Sequence, residues 1–131
     1  MSNQDLGPRN IVQAIEGMSL TYNPEVDQNL AAIIQFKISG EGGGDYYLNI
    51  ADGNCDFSTG LAPKPTLTIE SPADVWLKIA RKELSGAIAL MSGKYKASGQ
   101  MGLLLKMDKL FTRKPTEAEL IEKGWLEPAG E

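Results

Sequence analysis

The sequence predicts an α+β fold, five strands forming one sheet with the helices gathered on one of its faces. Strand-like alternation fills the first half, as where Ile34, Phe36 and Ile38 interleave with Gln35, Lys37 and Ser39. Asp52-Gly53 stands between two alternating runs and marks a hairpin. Two apolar helical runs, near 73–84 and 100–111, flank a late short strand.

In chain order, Pro8 to Met18 reads as the first helix, with Pro8 in its first turn and Ile11, Val12, Ile15 and Met18 at helical spacing. Asn23-Pro24 starts a short helical turn. Strands are expected at Ala31 to Ser39, Tyr46 to Ala51 and Asn54 to Thr59, the last with Cys55 and Phe57 on one face. The Gly40-to-Asp45 loop lacks the spacing and Lys-Ser/Thr ending of a phosphate loop and joins two strands, so it is a hairpin linker. Leu61 to Pro65 is a crossing to a fourth strand, Thr66 to Glu70. In Ser71-Pro72-Ala73-Asp74 we read serine as cap and proline as first helical residue of a helix running to about Leu84. An apolar segment, Ala87 to Met91, precedes the fifth strand, which ends at Ser98-Gly99. In the helix at 100–111, Met101 and Leu105 fall on one side, with Leu103, Leu104, Met107, Leu110 and Phe111 largely opposite. That is more apolar surface than a helix covering a sheet requires. A lipid-filled cavity, a partner chain or a membrane surface could each cover the excess. Thr116-Glu117-Ala118-Glu119 is a capping box for a terminal helix ending near Gly124.

Composition narrows the function. At 131 residues, 42% hydrophobic and 23% charged, the chain has the make-up of one globular domain. It contains no run of about 18 apolar residues, and Met1 to Leu6 lacks the features of a signal peptide. A single cysteine, Cys55, cannot close an internal disulfide, so a cytoplasmic location is expected. The absence of histidine excludes histidine-dependent triads and His-ligated zinc. No metal, cofactor or catalytic residue is expected. Asp45, Asp52 and Asp56 are read as hairpin-end turn residues, and Cys55 as a small buried hydrophobe.

The net charge of −4 argues against nucleic-acid binding, yet charge is unevenly spread. Residues 94–114 hold Lys94, Lys96, Lys106, Lys109, Arg113 and Lys114 against Asp108 alone, whereas 115–131 hold Lys123 against five glutamates. The basic block coincides with the apolar helix. It is either a solvated face or a transient contact with an anionic membrane surface, with the acidic tail competing for the same charges.

Three stretches carry a family resemblance: Pro63-Lys64-Pro65-Thr66-Leu67-Thr68-Ile69, the helix opening Ser71 to Trp76, and Met91-Ser92-Gly93-Lys94-Tyr95-Lys96-Ala97-Ser98-Gly99-Gln100-Met101-Gly102-Leu103. Phe36 to Gly44 and Asp45 to Gly53 fit the first hairpin as well. The chain resembles the sterol carrier protein type-two, or nonspecific lipid-transfer, domain in its stand-alone form, over about residues 8–114 of a single domain spanning 1–131, with 115–131 as a helical tail. The resemblance implies a mixed sheet and helices enclosing an apolar cavity between the sheet and the helices at 73–91 and 100–111. Its cargo would be a fatty acid, an acyl-CoA ester or a sterol-like lipid. The sheet wall would include Phe36, Ile38, Leu48, Phe57 and Ile69. The helical walls would include Trp76, Ile79, Ile88, Met91, Met101, Leu104, Leu105 and Met107. The ending Ala129-Gly130-Glu131 differs from a peroxisomal targeting tripeptide. The alternative function is an accessory domain that docks on lipid-metabolising enzymes or forms a homodimer through the helix at 100–111.

Overall fold

The structure, a computed structural model, describes residues 8–126. The expectations on Met1 to Leu6 and on the ending Ala129-Gly130-Glu131 lie outside the described residues. The elements are α1 (Ile11–Thr21), β1 (Ala32–Ser39), β2 (Gly44–Ala51), β3 (Asn54–Thr59), β4 (Leu67–Pro72), α2 (Ala73–Ala80), α3 (Gly86–Met91), β5 (Lys96–Gly99), α4 (Met101–Leu110) and α5 (Glu117–Glu122). The sheet runs β3-β2-β1-β4-β5. β1 pairs antiparallel with β2 and parallel with β4, and the remaining pairs are antiparallel, so the sheet is mixed.

The single parallel pair forces the chain to travel from the β3 edge back across β2 and β1 before β4 can form. Gln35 holds that crossing. Its Nε2 donates to the carbonyls of Tyr46 and Gly60, both at 3.0 Å, and its Oε1 accepts from the Ala62 amide at 2.7 Å. Alternation alone places Gln35 on a solvated face; the structure buries it, because the crossing segment lies over it. Gln35→Leu leaves the Ala62 amide and the Gly60 carbonyl without this partner. We expect it to cost about 1–3 kcal/mol, read as a lowered midpoint in urea unfolding, with Lys37→Leu on the same strand as the near-neutral control.

The hairpin at Asp52-Gly53 forms as predicted, with φ of 53° and 79° at its two central residues, the left-handed pair of a type I′ turn. Asp52 therefore sits in a turn, but Asp45 and Asp56 stand within β2 and β3. Asp45 lies beside Lys37, which adjoins Glu70, which adjoins Lys96. This row of alternating charge gives Asp45 and Lys96, at its two ends, each a cross-strand neighbour of opposite sign on the outer face of the sheet.

Local chemistry shifts several helix ends. α1 begins only at Ile11, capped by Asn10, whose side chain accepts from the Gln13 amide, so Pro8 precedes the helix instead of standing in its first turn. At Asn23-Pro24 there is a turn without a helix, closed by the Asn23 side chain accepting from the Glu25 amide at 3.1 Å. Ser71 remains in β4 and its hydroxyl donates to the Pro72 carbonyl, so Pro72 is the cap of α2 and offers no side-chain bond. α2 ends at Ala80 because Lys82 adopts φ of 65° and the Glu83 amide bonds back to the Lys78 carbonyl. Ser85 then caps α3, so the apolar segment expected at Ala87 to Met91 is a helix of its own. The Thr116–Glu119 capping box is present with both of its bonds.

The inner face of the sheet is packed. Ile34, Phe36, Ile38, Leu48, Ile50, Leu67 and Ile69 are buried against Ile11, Ala14 and Ile15 of α1, Trp76 of α2, and Leu103, Met107 and Leu110 of α4. The two apolar sides expected for α4 are real: Leu103, Met107 and Leu110 enter this core, whereas Met101 and Leu105 face outward.

Candidate functional site: a cavity among the helices

A cavity of about 980 Å³, partly open to solvent, lies on the far side of the packed layer, lined by residues of α1, α2, α3, α4 and the α5 segment. No strand residue lines it. This differs from the expected position between sheet and helices, and the cause is a layer of side chains. Phe36 packs on Trp76 with ring centroids 5.3 Å apart, and Trp76 meets Tyr95 edge-on at 5.6 Å. Trp76 and Tyr95 thus form a floor that separates the sheet from the open space.

Of the residues the resemblance nominates, Trp76, Ile79, Met91, Leu104, Leu105 and Met107 line the cavity. Phe36, Ile38, Leu48, Phe57 and Ile69 do not: they belong to the packed sheet face beneath the aromatic floor. Ile88 and Met101 also lie outside the cavity wall, exposed on the outer sides of α3 and α4. Sequence reasoning missed two walls altogether. One is α1, which contributes Gln13, Ala14, Gly17, Met18, Leu20 and Thr21. The signal was Gln13, Gly17, Leu20 and Thr21 at helical spacing, a stripe adjoining the Ile11-Ala14-Ile15 stripe that faces the sheet. The other is the C-terminal segment, with Pro115, Leu120, Gly124, Trp125 and Leu126.

Packing and charge hold that segment in place. The Trp125 ring lies over Gly17, so close that an added β-carbon there would stand 3.8 Å from it. Lys123 bonds Glu16 of α1 at 2.8 Å, and Arg113 meets both carboxylate oxygens of Glu119 at 2.9 and 3.0 Å. The Arg113 bond, with the Thr116 backbone bond, holds the Glu119 carboxyl below its ordinary range. The acidic segment therefore closes the cavity through specific contacts. Of the basic block, Lys106 is bonded to Asp27 at 3.1 Å and Arg113 to Glu119.

The walls are chiefly apolar, with polar groups at the margins: Arg9 and Gln13 near the start of α1, Lys82 after α2, and Asp108 on α4. Burial, reinforced by the negative charge of Asp108, raises the Tyr95 hydroxyl above its ordinary pKa, so Tyr95 stays protonated at neutral pH. Trp76 Nε1 is buried without a hydrogen-bond partner among the described residues. Cys55 stands apart in β3, its thiol pushed up to about 12 by burial and then by Asp56, which leaves it without appreciable thiolate at neutral pH. None of these groups forms a nucleophile–base pair.

The sequence pattern of the SCP-2 sterol transfer family matches residues 14–112. The chain belongs to this family. Hydroxysteroid dehydrogenase-like protein 2 of Xenopus tropicalis is 30% identical over 110 residues, which span 82% of this chain and 26% of that protein. The chain thus spans about a quarter of the length of such curated relatives. Among solved structures, palmitated SCP2L2 from Aedes aegypti superposes with a TM-score of 0.66 at 19% identity, covering 82% of this chain and 99% of that one. The sec-alkylsulfatase Pisa1 from Pseudomonas sp. gives 0.55 at 17% identity, covering 83% of this chain and 15% of that enzyme. These likenesses establish the fold. The matched region ends at residue 112, so the C-terminal wall of the cavity, from Pro115 to Leu126, lies beyond it. Among the described residues no helix is long and apolar enough to cross a membrane.

Proposed function

We propose that this protein binds a lipid in the helical cavity and transfers it between membranes or enzymes, without catalysing a reaction, in the cytoplasm. The observation that carries the reading is the cavity itself: about 980 Å³ of space with apolar walls in a chain of the SCP-2 sterol transfer family. That volume is at the upper end of the roughly 300–1,000 Å³ usual for small-molecule sites, enough for a long acyl chain. Met18, Met91 and Met107 contribute thioethers that adapt to ligands of differing shape. Arg9 and Lys82 at the margin would receive an anionic headgroup, which favours a fatty acid or acyl-CoA ester over a sterol. The palmitated state of the Aedes aegypti relative is in keeping with that choice.

The second reading, an accessory domain that docks on lipid-metabolising enzymes or self-associates, draws support from Met91 and Leu105, which are large, apolar and exposed. Native mass spectrometry of the purified protein separates the two. A co-purifying mass, released by organic extraction and matching a fatty acyl lipid, is the expected result. An empty protein that binds no added fatty acid and persists as a dimer would overturn the lipid-carrier reading.

A further inference from the structure

We propose that the cavity exchanges its cargo through a portal between α3 and α4, whose exposed apolar lips dock on a lipid bilayer carrying anionic headgroups. The proposal rests on the lipid-binding reading of the cavity and names the face and partner through which it fills. Met91 and Leu105 both line the cavity, yet they are 84% and 78% exposed, the highest values among the exposed large hydrophobics. A side chain that is at once cavity wall and outer surface marks where the interior opens. Helical spacing extends each lip outward. Ile88 precedes Met91 by three residues on α3, and Met101 precedes Leu105 by four on α4, so each pair shares a helix face. Ile88 and Met101 are 59% and 41% exposed and do not line the cavity.

The two sides of the cavity are built differently. The C-terminal segment is tied down by the Lys123–Glu16 and Arg113–Glu119 ion pairs and by Trp125 over Gly17. Between α3 and α4, no hydrogen bond or ion pair is present among the described residues. Separating those helices breaks no polar contact, whereas lifting the C-terminal segment breaks several.

Charge decides the occupant. Lys82 lines the cavity and Lys109 stands one turn beyond Leu105, and among the described residues neither is engaged in an ion pair, unlike Lys106 and Arg113. Asp108, on the same stretch of α4, offsets one of these charges. Isoleucine, methionine and leucine flanked by lysines is the composition of a surface that seats in an anionic interface. A bilayer also lets an acyl chain pass from one apolar medium to another without crossing water.

The test uses the whole chain, phosphatidylcholine–phosphatidylglycerol vesicles and a dansylated fatty acid in solution. Ile88→Glu/Met101→Glu is the principal variant, because both residues are exposed and outside the cavity wall. We expect its vesicle association, measured by co-sedimentation, to weaken by about tenfold or more, and transfer of the probe from vesicles to slow in parallel. Binding of the dissolved probe should stay within about twofold of the parent protein. Lys109→Gln should weaken association less, and the parent protein's association should fall as salt rises. Leu61→Glu, an exposed apolar position on the crossing, should change none of these values. Unaltered sedimentation of the double variant overturns the portal, as does a parent protein that ignores anionic vesicles. So does a parent dimer that Ile88→Glu dissociates while vesicles are left unbound, since the lips would then face a second copy. If vesicles bind through these lips but no dissolved probe binds, the docking surface stands and the lipid-binding reading of the cavity falls.

Discussion

Leu104→Trp should abolish binding of a dansylated fatty acid while leaving the fold in place. Leu104 packs against the edge of the core but is only partly buried and lines the cavity, so the larger indole has open space to extend into. The adjacent Leu103 is buried in the core and does not line the cavity. Leu103→Trp is therefore the matched control: it should overpack the core and cost about 1–3 kcal/mol. For Leu104→Trp we expect at least a tenfold loss of affinity, or about 1.4 kcal/mol, with a thermal midpoint close to that of the parent. Should Leu104→Trp instead lower the midpoint as much as Leu103→Trp does, Leu104 is core and the volume beside it does not accept a ligand.

Phe36→Ala should produce the opposite pattern. Phe36 is fully buried on β1, between the sheet and Trp76, with no face toward the cavity. Truncation removes the ring that supports the Trp76–Tyr95 floor and opens a void beneath it. The expected loss is about 3–5 kcal/mol, a fall in Tm of roughly 10–20 °C. Affinity for the fatty acid, measured well below that lowered Tm, should change far less than in Leu104→Trp. A variant that stays as stable as the parent but no longer binds ligand would return Phe36 to the cavity wall, where the family resemblance had put it.

The two substitutions separate what was readable in the residues from what was not. The order of the strands and of most helices follows from local pattern: alternation in β1, the Asp-Gly turn, the threonine cap of α5. The family was legible too, because its motifs are local runs such as Met91 to Leu103. Two-sided apolarity in α4 also announced that something beyond the sheet must be covered.

Which apolar residue meets ligand space and which meets another side chain was not legible. Phe36 and Trp76 are both buried aromatic side chains in amphipathic elements, and periodicity assigns each to the inner face alike. Gln35 shows the same limit, since alternation marks it as solvated until a crossing segment from elsewhere in the chain lies over it. Lys106 and Arg113 read as free basic charge until Asp27 and Glu119 are brought beside them. Sequence by itself determined the strands, most of the helices, their order, the family and the surplus of apolar surface, because backbone preference and side-chain alternation act over a few residues. Only the tertiary structure decided that the cavity lies among the helices and that α1 and the Pro115–Leu126 segment close it. It also decided that Ile88 and Met101 stand outside. Those outcomes depend on the thickness of the Phe36–Trp76–Tyr95 layer and on contacts between residues far apart in the chain, such as Lys123 with Glu16. Neither quantity is encoded in any local pattern.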